Sequence, residues 1–238
     1  MAEIPILKEY YIRYLIEIRS LSQSSVKHYI DALNNISRLL LSKSLVKSDI
    51  YEISNIDQLT VAMNLLYEDP EFKAQDLRGH QMYSSGLNNY YRFACGKDFD
   101  LANEKQLLFD KPIQATKAVC QETIVWQRSD IIRQQALVLA NYQCEIDSTH
   151  KSFIAERTHL QYMEGHHAIP MHMQERFPNS LDVYSNIICL CPICHRRIHY
   201  GEKHDRSIMI QQLYESRSSR LANSGIMLSK EEFLLITG

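Results

Sequence analysis

Two short stretches of this chain concentrate side chains that can bind a metal ion or move a proton. The first, "YMEGHHAIPM" (residues 162–171), sets His166 beside His167 within what reads as a half-buried strand. Successive strand side chains point to opposite faces, so adjacent imidazoles cannot both serve one core. The second, "SNIICLCPICHRRIHYG" (residues 185–201), carries Cys191 and Cys194 separated by two residues, then His195 and His199. Cys-x2-Cys is the spacing at which a tight turn offers two thiolates to one tetrahedral Zn²⁺, with Zn–S bonds of about 2.3 Å. His195 and His199 are i, i+4, so on a helix they share one face and can meet a single ion.

One Cys-x2-Cys supplies half of a structural zinc site. Upstream, "NYQCEIDSTHK" offers Cys144 as third ligand, with His150 or Asp147 as the fourth. His150 is preferred, because structural zinc favours sulfur and imidazole over a single carboxylate. The alternative is that these cysteines are simply buried thiols. Cys189, in the apolar run before the knuckle, reads as a small core residue. Arg196 and Arg197 share the helix of His195 and His199 and are candidate phosphate clamps, with a solvated helix face as the alternative.

Paired histidines at a strand end, an Asn nineteen positions after the second, and then Cys-x2-Cys-His-x3-His form an ordered pattern. It resembles the HNH, or ββα-metal, endonucleases, and among them the zinc-stapled restriction-type members of the McrA-like kind. The likeness is carried by "EGHHAIPM", "LDVYSNIICLCPICHRRIHYG" and, more loosely, "CEIDSTHKSF", within about residues 129–201. Many members have a second Cys-x2-Cys where this chain has Cys144-Glu-Ile-Asp147. The resemblance implies that His167 is the general base that takes a proton from water. It implies that His166 joins His195 and His199 around a catalytic divalent ion, so the two neighbours face different partners. The resemblance also implies that Asn186 is the motif's central Asn, counted with His167 in the catalytic set and holding the loop between strands through side chain to backbone hydrogen bonds; an ordinary turn or cap residue is the alternative. Asp182 is expected to cap that loop, with an approach to the metal as the alternative. Three imidazoles suit Mn²⁺ or Ni²⁺ at least as well as Mg²⁺, which prefers oxygen ligands.

The elements that must position these groups are mostly helical. "EYYIRYLIEIRS" and "SQSSVKHYIDALNNISRLLLS" place apolar residues at helical spacing, the second behind serines suited to an N-cap. "NIDQLTVAMNLLYEDP", stopped near Pro70, and "HQMYSSGLNNYYRFACG", closed by Gly96, add two more helices. Residues 1–110 are therefore expected to be a helical domain. Residues 111–128 are expected to be a linker, since the period is lost around Pro112. Residues 129–238 are expected to hold the nuclease-like domain, entered by the helix "SDIIRQQALVLANYQ" and closed by C-terminal helices. The predicted fold class is α+β, mostly α: a helical N-terminal bundle followed by a ββα-metal domain with a structural zinc site and C-terminal helices.

Hydrophobic residues make up 45% of the 238 and charged residues 23%, as expected of a globular chain able to bury a core. With 26 Lys and Arg against 28 Asp and Glu, no global positive field marks a nucleic-acid binder, so a DNA surface must be local. No apolar run approaches the ~20 residues of a membrane span, and the first residues are charged where a signal peptide is apolar. A cytoplasmic protein without membrane contact is expected. Lys27, His28, Arg38, Arg78, Arg92 and Lys97, with Tyr83 and Tyr90 between them, suggest that the N-terminal domain recognises DNA; a dimerising bundle is the alternative. The resulting expectation is a metal-dependent endonuclease on double-stranded DNA, of restriction type, with a possible need for modified cytosine and a possible homodimer on palindromic sites. The rival readings are a zinc-stabilised nucleic-acid-binding module without catalysis and a homing or structure-selective nuclease.

Overall fold

Several helices open on a side chain that satisfies a first-turn N–H group. In the computed structural model, which describes residues 5–99, 109–115, 117–120, 123–126 and 128–237, the fold is α+β and mostly α. The chain divides into two compact units, one within 1–101 together with 129–131, the other within 102–128 and 132–238.

The first unit is helical. Helix α1 (Ile6–Arg13) runs into a π-helical turn at Tyr14–Ile18, followed by α2 (Gln23–Ser42), α3 (Ile56–Glu68), α4 (Pro70–Arg78) and α5 (Met82–Ala94). Ser22 caps α2 by accepting from the Ser25 N–H at 3.2 Å, and Asn55 caps α3 by accepting from Asp57 and Gln58. Pro70 does end α3, but it also occupies the first turn of α4, where its missing N–H is harmless and Asp69 accepts from the Phe72 N–H. Gly86 lets α5 cross α2 closely, since a Cβ there would lie 2.9 Å from Ala32 Cβ. The core between them is aromatic, built from Tyr10, Tyr11, Tyr14, Tyr51, Tyr90 and Phe93. Tyr90 is therefore no part of a DNA-facing surface, and Arg92 is paired with Asp98 at 2.8 Å.

The second unit opens with an antiparallel pair, β1 (Lys117–Cys120) and β2 (Thr123–Trp126), inside the stretch expected as a linker; its β-branched residues suit strand pairing. Helix α6 (Asp130–Leu139) follows, its first two residues grouped with the first unit. Strands β3 (Glu164–His167) and β4 (Ile187–Leu190) then pair antiparallel, with His166 opposite Ile188 and His167 opposite Ile187. β4 is buried along its whole length, as its apolar run "IICL" requires, while β3 is half-buried. Helices α7 (Pro192–Tyr200), α8 (Lys203–Asn223) and α9 (Lys230–Thr237) complete the unit. Gly225, at φ +72°, ends α8 in a Schellman turn: its N–H donates to Ala222 and that of Ile226 to Leu221.

Candidate metal centres and active site

Cys191 does three jobs at the end of β4. It closes the strand, accepts from the Cys194 N–H at 3.4 Å as the N-cap of α7, and turns its sulfur toward Cys144 and His150. His150 Nδ1 lies 3.7 Å from Cys191 Sγ and 3.3 Å from Cys194 Sγ, and the four ligand atoms all fall within 4.8 Å of one another. Tetrahedral zinc with bonds of about 2.0–2.3 Å has ligand-to-ligand edges of about 3.5–3.8 Å, so this donor set fits the ion. Burial raises the Cys144 thiol, but backbone N–H groups of Cys191, Asp147 and Ile146 together with His150 outweigh it and lower it to about 7. Asp147 stands outside the cluster: its Oδ2 is 3.5 Å from His150 Nε2, on the other side of the ring, where a carboxylate orients a ligating imidazole. Burial pushes the Cys189 thiol well up, as suits a neutral core residue. Glu145 ties the loop to β4 by accepting from the Cys189 N–H, and it pairs with the buried Arg217 of α8.

The second group lies between β3 and α7. The rings of His166, His195 and His199 form a near-equilateral triangle, with centroids 5.2, 4.9 and 5.0 Å apart. An imidazole nitrogen about 2.1 Å from an ion puts its centroid about 3.2 Å away, so rings at right to tetrahedral angles have centroids about 4.5–5.3 Å apart. The triangle therefore fits one shared ion. Burial, then the neighbouring imidazoles, lowers His166 to about 3, and burial with His195 and Arg196 also lowers His199. Both rings thus keep lone pairs at neutral pH, which is the ligating form. Glu164 Oε2 meets His195 Nδ1 at 2.6 Å, leaving Nε2 for the cluster.

On the opposite face of β3, His167 Nε2 lies 2.9 Å from Asp182 Oδ1. Asp182 is not part of the three-histidine group; its carboxylate faces His167. The loop from 168 to 186 is held by Asn186, which is fully buried. Its Oδ1 accepts from the Ile169 N–H at 2.8 Å, and its Nδ2 donates to the carbonyls of Ile169 and Leu181 at 3.0 and 2.9 Å. Replacing Asn186 with Ala strands three buried backbone groups, so roughly 3 kcal/mol of stability should be lost at about 1 kcal/mol or more each. Urea unfolding measures this, and an unchanged midpoint would contradict it.

A cleft of about 420 Å³ opens beside the triangle, lined by Arg133, Tyr162, Glu164, His195, Arg196 and His199 among others. Arg196 thus lines the cleft, whereas Arg197 pairs with Asp205 at 3.0 Å and is not among the lining residues. Arg133 reaches the cleft from α6 because residue 165 is glycine: a Cβ there would sit 2.5 Å from Arg133 Cγ. Sequence reasoning missed Glu164, although strand alternation puts it on the face of His166 and was a usable signal. Arg133, more than thirty residues upstream of the pair, had no such signal.

Among the described residues, no helix is long and apolar enough to cross a membrane. Comparison with curated proteins gave no match. The family model described as HNH endonuclease matches residues 150–201, a span that includes His150, the histidine pair, Asn186, and Cys194, His195 and His199 of α7. HNH nucleases are metal-dependent and act on DNA, which agrees with the donor chemistry of both clusters. Residues 150–201 are an HNH endonuclease domain.

Proposed function

We propose that the protein is a divalent-metal-dependent endonuclease that hydrolyses phosphodiester bonds of double-stranded DNA, as a restriction-type enzyme. The observation that carries this reading is the division of labour across β3, with a triangle of imidazoles on one face and His167 beside a buried carboxylate on the other. His166, His195 and His199 would hold the ion, which when bound polarises the scissile phosphate and stabilises the departing 3′ oxygen. His167 accepts the proton of the attacking water at Nδ1, the ring nitrogen opposite the one that meets Asp182. Glu164 keeps His195 turned toward the cluster, and Arg133 and Arg196 supply cationic forks for backbone phosphates along the cleft. Cys144, His150, Cys191 and Cys194 would hold structural zinc, which when bound would fix the start of α7. DNA recognition by the first unit, a homodimer on palindromic sites and a cytoplasmic location belong to the same reading.

The test is digestion of one plasmid in unmodified, 5-methylcytosine and 5-hydroxymethylcytosine forms with Mg²⁺, Mn²⁺ or Ni²⁺, followed by end sequencing. Cleavage leaving 5′-phosphate and 3′-hydroxyl ends is expected, with Mn²⁺ or Ni²⁺ at least as effective as Mg²⁺ because the ligands are imidazoles. Activity confined to Mg²⁺ would remove at least one histidine from the ion. Preference for a modified form supports modified-cytosine restriction; insensitivity with a long site or junction supports a homing or structure-selective enzyme. Resistance of every form with every metal would leave a zinc-stabilised binding module.

A further inference from the structure

We propose that Asp182 is a positioning residue for cleavage: its carboxylate fixes the tautomer and ring orientation of His167. This rests on reading His167 as the general base. The Asp182 side chain is only 2% exposed and lies 2.9 Å from His167 Nε2, fifteen residues away in sequence. Its position is set from both sides. The Ser180 N–H donates to the Ile113 carbonyl at 2.7 Å, and Ser180 Oγ accepts from the Asp182 N–H at 3.1 Å. The Leu181 N–H donates to Gln174 Oε1 at 2.7 Å, and the Leu181 carbonyl accepts from Asn186.

A neutral imidazole has one N–H and one lone pair, and an ionised carboxylate only accepts. The contact therefore requires the proton on Nε2, which leaves the lone pair at Nδ1 for water. When water's O–H breaks, the proton goes to Nδ1, the oxygen forms the new P–O bond, and the P–O3′ bond breaks with the 3′ oxygen protonated from solvent. The imidazolium so formed keeps its second N–H on a negative partner, as in triads where the acid orients and stabilises without taking the proton. A neutral amide at 182 would preserve shape and lose both effects.

The wild type and Asp182→Asn, Asp182→Glu, His167→Ala and the Asp182→Asn/His167→Ala double variant are compared on supercoiled plasmid with Mn²⁺, recording kcat, KM, melting temperature and zinc content. Asp182→Asn should lower kcat about 10²-fold or more, with KM, melting and zinc little changed, and Asp182→Glu should recover part of the loss. In the His167→Ala background, Asp182→Asn should cost nothing further, because both act through one imidazole. Multiplying losses, a change confined to KM, or an unchanged kcat in Asp182→Asn would overturn the positioning role alone. Wild-type kcat in His167→Ala would overturn it together with the base assignment. Nitrogen-15 NMR of the unsubstituted protein gives a check free of folding defects: neutral His167 should carry its proton on Nε2, and a proton on Nδ1 would overturn the proposal.

Discussion

Replacing His167 with alanine should lower the cleavage rate by roughly 10²–10⁴-fold, the usual contribution of a general base, while binding of duplex DNA persists. The reason is strand geometry. His167 shares its face of β3 with Gly165, opposite the face that carries Glu164 and His166, so its removal leaves the imidazole triangle and the His195–Glu164 contact in place. His166→Ala is the informative contrast. It removes one of three donors, so its defect should shrink as Mn²⁺ is raised, whereas that of His167→Ala should not. Rates at several metal concentrations, with binding measured by mobility shift, decide the matter. A His167→Ala enzyme recovered by metal would mean that this imidazole touches the ion, and the division across β3 would be wrong.

Zinc removal should have the largest structural effect. The Cys144, His150, Cys191 and Cys194 cluster joins the loop after α6 to the turn between β4 and α7, segments more than forty residues apart in sequence. Structural zinc in small finger peptides binds with about 10–16 kcal/mol, and that binding energy is folding energy. If about 5 kcal/mol of this is lost here, melting should fall by about 10–20 °C at the few degrees per kcal/mol usual for this size. Because Cys191 also caps α7, the helix bearing His195 and His199 should lose its anchor, and activity should not return with Mn²⁺ alone. Metal analysis should find one tightly held zinc per chain. Cys191→Ser should release it, while Cys189→Ser, which changes a buried thiol outside the cluster, should not. Unchanged melting in a strong chelator would count against a structural ion.

Much of this was legible in short-range spacing. The two cysteines of the Cys-x2-Cys turn, the i, i+4 histidines and the paired histidines of β3 are each separated by four residues or fewer, so strand alternation, helical period and a single tight turn place their donors whatever the remaining chain does. Helices α1, α2, α3 and α5 of the first unit were legible for the same reason, through apolar stripes and, at α2, a serine cap; α4, which buries only Phe72, carries no such stripe and was not. Local spacing was silent on burial within a helix. Tyr90 reads equally well as a surface ring or a core ring, and only packing against Tyr11 and Tyr51 decides for the core.

Three partnerships depended on how distant segments were folded back. Asp182 reaches His167 through a loop pinned by Asn186, Gln174 and Ser180; without those hydrogen bonds it looked like a turn residue. Arg133 reaches the cleft because Gly165 leaves room for its stem. His150 joins the sulfurs while Asp147 stays behind its ring, a choice set by which way one loop turns. Spacing dictated which chemistry the chain could perform, because ligand geometry is local. Tertiary structure chose which groups meet His195, His150 and His167, because hydrogen-bond direction depends on the path of the loops between them.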